Sequence, residues 1–200
     1  MSYWEHRKPV QRVRAVDIDD VARAAVKLLD HGGLRALTLR AVADEVGVAP
    51  ASLYSRVESV DDLFDLALDK ALSDDDAMRA ASKDAALPEL MMAFFHHLVA
   101  HRWAGQVIGM RAPRGPAYLR LSERMCVLIE EMGATDSLGT AYRLSNLVIG
   151  SALTAPMAPD EKRVPIDEEL APTYARMHGH HHISPDVILA EGIAAILDRS

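Results

Sequence analysis

The sequence lacks cysteines that could pair and apolar runs that could cross a membrane. It has one cysteine among 200 residues, Cys126, which excludes an internal disulfide and a metal site built from several cysteines. The longest stretch without a charged residue, 144–159, has 16 residues and contains polar residues and proline, so it is too short and too broken to span a bilayer. No apolar run follows the charged first eight residues, so we expect no signal peptide and a cytoplasmic protein without membrane contact.

Signatures of catalysis are also missing from the sequence. It has no nucleophile motif, no phosphate-binding loop and no H-E-x-x-H zinc motif, and its adjacent carboxylates at 130–131 and 168–169 are typical of a solvated surface. We therefore expect neither an enzyme nor a cofactor.

Two groups of histidines leave a metal site open. His97 and His101 share one face of a helix, where they either hold a metal or line a packed, partly wet interior. The H-G-H-H-H run at 178–182 either binds metal or belongs to an exposed or pocket-covering loop. His97 and His101 have no carboxylate or further ligand anchored nearby in the sequence, and the run at 178–182 lies in a proline-bounded loop rather than on a rigid frame, so we assign no metal.

The charge is unevenly distributed along the chain. The net charge is -7, yet residues 1–57 carry nine Lys and Arg against seven Asp and Glu, a balance of +2, and the remainder carries -9. Only the N-terminal part is therefore suited to a polyanion such as DNA. It begins with a basic stretch, Arg7, Lys8, Arg12 and Arg14, which either contacts phosphates or the minor groove or is a disordered leader.

Residues 38–57 have the pattern of two short helices joined at a glycine. Apolar residues recur at helical spacing in the first helix, Thr38 can cap it, and Gly47 can adopt the left-handed conformation that ends it. Pro50 suits the first position of the second helix, and Leu53 can pack inward with Val48. The outer side would then carry Pro50, Ala51, Ser52, Tyr54, Ser55 and Arg56. This is the layout of a helix-turn-helix that enters the DNA major groove, although a plain packing unit has the same local pattern.

Helical periodicity continues through the rest of the chain without strand patterns or repeats, so the predicted fold class is all-α. A helix capped by Asp17 or Asp19 and ended by the glycines at 32–33 precedes the pair. Ser59 is predicted to cap a fourth helix that is apolar on two sides, followed by a loop at 73–86. Later helices are predicted over 88–103, 104–110, 117–132 and 136–155, then a long loop over 157–183, then a final helix capped by Ser184 or Asp186.

The sequence around the helix pair at 38–57 resembles the DNA-binding domain of the TetR family of transcriptional repressors. The shared features are T-x-x-x-V-A-x-x-x-G-V, then L-Y, then an acidic pair and a leucine, found here at Thr38, Val42, Ala43, Gly47, Val48, Leu53, Tyr54, Asp61, Asp62 and Leu63. Residues 98–157, with H-R-W and R-A-P-R-G-P, are similar to the ligand-binding domain of the tetracycline-repressor branch.

The resemblance implies a homodimeric repressor that leaves a roughly palindromic operator on double-stranded DNA when a small-molecule effector binds. It implies a helix-turn-helix domain at 1–57, a connecting helix at 58–80 and a ligand-binding and dimerisation domain at 81–200. Dimerisation would use the helix over 136–155 and the final helix. The expected DNA contacts are Thr38, Arg40, Pro50, Ala51, Ser52, Tyr54, Ser55 and Arg56.

Methionines and aromatic residues between 91 and 132 form either a core or an adaptable pocket. The resemblance favours a pocket that draws on Phe94, Phe95, His97, His101, Trp103, Ile108, Met110, Met125 and Asn146.

Three positions depart from the family pattern. Val60 stands where a lysine usually reaches a phosphate, and Ala49 replaces the usual capping serine or threonine. Ile108 replaces a metal-binding histidine of tetracycline-binding members, so we expect that tetracycline–metal complexes are not the effector. The rival hypothesis is a small-molecule- or metal-binding helical protein that no longer binds DNA, which the acidic balance and the histidine run would suit.

Overall fold

The computed structural model describes residues 2–6, 16–161, 163–180 and 184–198. All regular structure in these ranges is helical, as expected. The α-helices are α1 (Tyr3–His6), α2 (Ile18–Gly32), α3 (Leu39–Val46), α4 (Pro50–Leu53), α5 (Val60–Asp74), α6 (Asp76–Asp84), α7 (Leu87–Ala100), α8 (Arg102–Met110), α9 (Pro116–Glu131), α10 (Ser137–Thr154), α11 (Ala158–Glu161), α12 (Pro172–His180) and α13 (Pro185–Leu197).

The N-terminal helices begin and end at the residues that the sequence predicts. Asp17 caps α2 by accepting a hydrogen bond from the backbone N–H of Asp19, and α2 ends before Gly33, which has a φ of 65°. The Thr38 hydroxyl accepts from the backbone N–H of Ala41 at 3.0 Å and so caps α3. Gly47 ends α3 in the left-handed region, with φ 74° and ψ 33°.

Helix α5 connects these helices to the rest of the fold and is buried on more than one side, as its apolar pattern predicts. It packs against α2 of the N-terminal helices and against α8 and α9 of the later ones. Ser59 holds the N-cap position, but its side chain makes no capping hydrogen bond. Instead, the Asp62 carboxylate accepts from the backbone N–H of Glu58 at 2.6 Å.

Two predicted loops are wrong because they contain helices. Within 73–86, Asp75 accepts from the backbone N–H of Met78 and caps α6, and the buried Met78 side chain anchors that helix to the core. Within 157–183, Pro159 and Pro172 stand in the first turns of helices, where proline is tolerated, and Pro165 lies between these helices. Pro172 begins α12, and Tyr174 of that helix donates a hydrogen bond to Glu161 of α11.

The C-terminal helices form a bundle around α7. Helix α7 packs against α6, α10 and α13, and α10 in turn packs against α8, α9 and α13. The predicted helix bounds here are confirmed to within a few residues, and Ser184 occupies the N-cap position of α13 without a side-chain cap. Buried apolar residues from α1 to α13 form one continuous core. Because this core has no visible division, it does not test the predicted domain boundaries, which remain predictions.

Helix α1 lies against α5, and Tyr3 is buried in the core. The predicted basic stretch from Arg7 to Arg14 lies outside the described residues, as do His181 and His182. In the parts of the chain that the structure describes, no helix is long and apolar enough to cross a membrane.

Candidate nucleic-acid interface and its links to the C-terminal helices

Helices α3 and α4 are held at a fixed angle by a small shared core. Val42 and Ala43 of α3 and Leu53 of α4 are fully buried, and Gly47 makes the turn between them. The backbone N–H of Val48 bonds to the carbonyl of Ala43 at 2.9 Å, which closes the end of α3. The pair therefore has the geometry of a helix-turn-helix with α4 as the recognition helix.

The surface that α4 presents to solvent contains most of the predicted DNA contacts. Tyr54 is 55% exposed, and the Ser55 hydroxyl donates a hydrogen bond to the Ser52 carbonyl at 2.7 Å. We call this surface the recognition surface, and its members that are exposed or half-buried are Thr38, Arg40, Pro50, Ala51, Ser52, Tyr54 and Ser55.

Arg56 does not lie on the recognition surface, which corrects its predicted outward placement. Its residue exposure is 8%, and its Nε and Nη1 atoms are buried without a hydrogen-bond partner among the described residues. The reason is its spacing, because residues three apart share one face of a helical turn and Arg56 follows the buried Leu53 by three. The backbone N–H of Arg56 bonds to the Leu53 carbonyl at 2.8 Å and keeps it in that turn.

A buried carboxylate on α5 joins the chain start to the end of α8. Asp65 accepts hydrogen bonds from the Ser2 hydroxyl at 3.0 Å, the backbone N–H of Tyr3 at 2.9 Å and Arg111 Nη2 at 3.1 Å. Arg111 Nε is also 2.9 Å from Asp65 Oδ1, although its N–H is not aligned for a hydrogen bond. Arg111 Nη1 reaches Asp61, one turn earlier on α5, at 2.8 Å.

Neighbouring carboxylates of α5 make further links. Asp62 is buried and pairs with His6 Nε2 at 3.1 Å. Asp69 accepts from the backbone N–H of Ala117 at 2.6 Å, at the start of α9, and burial raises the pKa of its carboxyl while these backbone bonds oppose the rise. Helix α5 is therefore bonded to the chain start and to the segment between α8 and α9.

His97 of α7 and His101, which lies between α7 and α8, are each paired with an aspartate that is distant in the sequence. His97 Nδ1 lies 2.9 Å from Asp75 Oδ2, and His101 Nδ1 lies 2.7 Å from Asp30 Oδ1 at the end of α2. Trp103 Nε1 donates to the same Asp30 oxygen at 2.7 Å. Asp30 therefore joins α2 to the junction of α7 and α8.

Burial sets the protonation of the His97–Asp75 pair. Burial lowers the pKa of His97, and nearby His101, 4.9 Å away between ring centroids, lowers it further, against the opposing effect of Asp75. Burial alone would raise the pKa of Asp75, but hydrogen bonds from Met78 and His97 outweigh it and hold that pKa below its ordinary value. Burial thus favours the neutral form of His97 beside the Asp75 carboxylate, and His97 Nε2 is buried without a partner among the described residues.

The residues predicted for the pocket are not gathered around one cavity. Phe94, Phe95, Trp103 and Met125 are packed in the core, and Ile108 packs beside them. Met110 and Asn146 lie at the surface, because Met110 ends α8 and Asn146 faces away from the buried side of α10. His97 and His101 line surface clefts in the described part of the chain, and the pocket remains a prediction. Within the described residues, no three His, Cys, Asp or Glu side chains are grouped to hold a metal ion.

Comparisons with known proteins match this architecture. Residues 21–67 match the family model of bacterial regulatory proteins of the tetR family. An HTH-type transcriptional regulator of Saccharopolyspora erythraea is 32% identical over 139 residues, which is 66% of this chain and 58% of that protein. The HTH-type transcriptional repressor DrrR1 of Streptomyces coeruleorubidus is 32% identical over 145 residues, 68% of this chain and 52% of the repressor. The chain thus spans little more than half the length of these curated relatives.

Among solved structures, the Streptomyces coelicolor TetR family protein ActR in complex with (S)-DNPA superposes with a TM-score of 0.74 at 23% identity. The match covers 94% of this chain and all of that one. At this identity the similarity establishes the fold, including the C-terminal helices beyond the family-model match.

Proposed function

Because the chain belongs to the tetR family of bacterial regulatory proteins, we propose that it is a cytoplasmic, DNA-binding transcriptional regulator. It represses by binding a palindromic operator as a homodimer and is released when a small molecule binds its C-terminal helices. The observation that carries this proposal is the helix-turn-helix with its exposed recognition surface, joined by polar links to those helices.

The recognition surface offers both kinds of contact that an operator needs. The N-terminus of α3 at Thr38 points unpaired backbone N–H groups outward, which suits a phosphate. Tyr54 and Ser52 supply hydroxyls for phosphates or base edges, and Arg40 supplies an exposed charge. Arg56 reaches DNA only if it leaves its buried position, so its predicted contact requires a local rearrangement.

Dimerisation is supported by apolar side chains left exposed on α10 and α13. Tyr142 is 64% exposed and Val187 54%, and exposed large apolar side chains grouped on two helices that pack together are typical of an interaction surface. The others on these two helices are Leu138, Leu153 and Ile188. A two-fold pairing of α10 and α13 would place two recognition helices one DNA turn apart, about 34 Å, and so requires a palindromic site.

Coupling between effector and operator has a physical route in the Asp30 bridge. Asp30 belongs to α2, which packs on the helix-turn-helix, whereas His101 and Trp103 belong to the C-terminal helices. A molecule that moved the α7–α8 junction would strain or break these bonds. The change that this molecule causes in the free energy of DNA binding equals the difference between its binding free energies for the arrangement with these bonds intact and the arrangement with them broken.

The ligands of structurally similar proteins do not identify the effector of this chain. ActR has been solved with (S)-DNPA and with actinorhodin, and such ligands belong to that protein. Here we propose an effector that is not a tetracycline–metal complex, because Ile108 cannot ligate a metal.

The test is selection of bound duplexes from a random DNA pool, followed by titration of the winning sequence at several salt concentrations. We expect a palindrome whose affinity falls steeply with salt. Tyr54→Ala should weaken binding roughly tenfold or more, because it removes a contact to DNA. Tyr174→Ala is the matched control, since Tyr174 is equally exposed, at 51%, but lies on α12. Failure to enrich any sequence would favour the rival hypothesis of a ligand-binding protein that no longer binds DNA.

A further inference from the structure

A surface cleft lies between the end of α5, helix α6 and the start of α9. Its volume is about 300 Å³, at the lower end of the range for small-molecule sites. The buried side chains of Leu72, Met78 and Leu121 form an apolar floor, which Ala117 continues at the start of α9. We call it the α6–α9 cleft.

The charged side chains that line the α6–α9 cleft are cationic. Arg79 and Lys83 come from α6 and Arg120 from α9, and among the described residues no aspartate or glutamate lines the cleft. This grouping is unusual for the part of the chain after residue 57, which carries a net charge of -9. A cleft of this charge attracts an anion.

Two hydrogen bonds place guanidinium groups beside the cleft. Arg79 Nη1 donates to the Ser73 carbonyl at 3.2 Å, and Ser73 itself lines the cleft. On the facing helix, Arg124 Nη2 donates to the Ala85 carbonyl at 3.4 Å, just after the end of α6. Arg120 precedes Arg124 by four residues, so it lies on the same face of α9, which is the face towards α6.

The carboxylates near the two cations of α6 hold them only weakly. Arg79 pairs with Asp76, and Lys83 Nζ lies 3.8 Å from Asp84 Oδ2. Both aspartates are exposed and lie outside the cleft lining. Exposed pairs of this kind contribute about 1 kcal/mol or less, so an anion in the cleft can exchange with them.

Arg120 is the cation of the cleft that has no such partner. Among the described residues it forms no ion pair, unlike Arg79 and Lys83. Asp69 of α5 is close enough to feel the Arg120 charge, yet its carboxylate is already bonded to the backbone N–H of Ala117 at 2.6 Å. The Arg120 guanidinium can therefore donate to a ligand.

We infer that the α6–α9 cleft binds a small organic acid, whose carboxylate pairs with Arg120 and whose apolar body covers the floor beside Met78. A guanidinium suits this role because it can donate two parallel hydrogen bonds to one carboxylate. Arg79 and Lys83, one turn apart on α6, add positive charge at the rim through long, flexible side chains. That this acid is the effector rests on the proposed function.

The position of the α6–α9 cleft links it to α5 and so to the N-terminal helices. Ala117 lines the cleft, and its backbone N–H holds Asp69 of α5. Helix α5 packs on α2, which in turn packs on α3. An acid that enters between α9 and α5 and lengthens the Asp69–Ala117 bond therefore acts on the helix that supports the helix-turn-helix.

The test uses three probes of nearly equal shape, naphthoate, naphthamide and naphthylmethylamine, and acetate as a carboxylate without an apolar body. Binding is followed in methionine-methyl NMR spectra of the whole protein, with the Met78 signal assigned from Met78→Leu. We expect naphthoate to shift the Met78 methyl and to bind about tenfold more tightly than naphthamide, as one charge-assisted contact provides. The amine should bind more weakly than the amide, and acetate far more weakly than naphthoate because it covers no apolar surface.

Salt separates the charged contact from the apolar one. Raising the salt concentration from about 0.1 M to about 1 M should reduce the preference for naphthoate over naphthamide, because the cations of the cleft are exposed and become screened. The affinity for naphthamide should not fall.

Two pairs of variants locate the site. Arg120→Gln should remove most of the preference for naphthoate over naphthamide, whereas Arg176→Gln, at an exposed position of α12, should leave it unchanged. Ser82→Trp fills the cleft and should abolish binding of both probes, whereas Ala80→Trp, at an exposed position of α6 outside the lining, should not. Thermal melts establish that each variant is folded.

The inference is overturned if naphthoate does not move the Met78 methyl, if naphthamide binds as tightly as naphthoate, or if Arg120→Gln keeps the preference. These outcomes are independent of DNA binding. A protein that binds naphthoate at Met78 but selects no operator would refute the proposed function and leave the site intact. A protein that selects an operator but does not bind naphthoate would refute the site alone.

Discussion

Replacing Asp65 by alanine should destabilise the protein far more than replacing Asp61, although both carboxylates bind Arg111. The Asp65 side chain is 3% exposed, it accepts hydrogen bonds from Ser2, Tyr3 and Arg111 Nη2, and it forms an ion pair with Arg111 Nε at 2.9 Å. The Asp61 side chain is 68% exposed and makes one contact, to Arg111 Nη1. The two positions therefore differ in burial and bond number while sharing one cation.

The expected size of the effect follows from that difference. Removing one partner of a buried, hydrogen-bonded ion pair costs about 3–5 kcal/mol, because the other charge stays desolvated. Removing one partner of an exposed pair costs about 1 kcal/mol or less. For a chain of this size, each kcal/mol shifts the melting temperature by about 2–4 °C, so Asp65→Ala should melt roughly 6–20 °C lower.

Urea unfolding at neutral pH, followed by circular dichroism, measures both free energies of unfolding. A double-mutant cycle of Asp65→Ala with Arg111→Met isolates the pair, and its coupling energy should exceed that of Asp61 with Arg111. Equal destabilisation by the Asp65 and Asp61 variants would refute the argument that burial of Asp65 makes this link strong.

Three further predictions concern helix caps, glycine positions and the pH dependence of stability. Thr38→Ala should lower the free energy of unfolding by about 1 kcal/mol, whereas Ser59→Ala should be nearly neutral because Ser59 makes no capping bond; urea titration separates them. Gly47→Ala should destabilise by about 1 kcal/mol or more at its positive φ, whereas Gly109→Ala in α8, with open space around it, should stabilise slightly in the same assay. The free energy of unfolding should fall as the pH drops below 6.5, because His97 takes up a proton in the unfolded chain but resists it when buried in the fold. This one group can contribute at most about 1.4 kcal/mol per pH unit. His97→Gln should reduce the slope, and an unchanged slope would contradict this assignment.

The helix-turn-helix could be predicted from the sequence because its determinants are local. Thr38, Gly47 and Pro50 each act within a few residues of their own position, through a cap, a left-handed turn and a first-turn proline. The wrong prediction that Arg56 faces outward also has a local cause. A helical turn of three residues places it behind Leu53, and that spacing outweighs the usual preference of an arginine for solvent.

The polar links could not be predicted, because each joins residues that are distant in sequence. His101 and Asp30 are 71 positions apart, and His97 and Asp75 are 22 apart. A histidine pair without a nearby carboxylate gave no sign of either partner. The missed helix α6 has a related cause, since it has few apolar residues and is supported by tertiary burial of Met78, its one large apolar side chain.

The aspartates of α5 show how a local pattern acquires its meaning from tertiary structure. Asp61, Asp65 and Asp69 recur every four residues, a spacing that places them along one face of the helix. In sequence they are indistinguishable from a solvated acidic face. In the fold all three bind the segment 111–117, through Arg111 and the backbone N–H of Ala117. That segment follows α8, whose other end is bonded to α2 through Asp30, so a displacement of α8 must either move the N-terminal helices or break buried polar bonds.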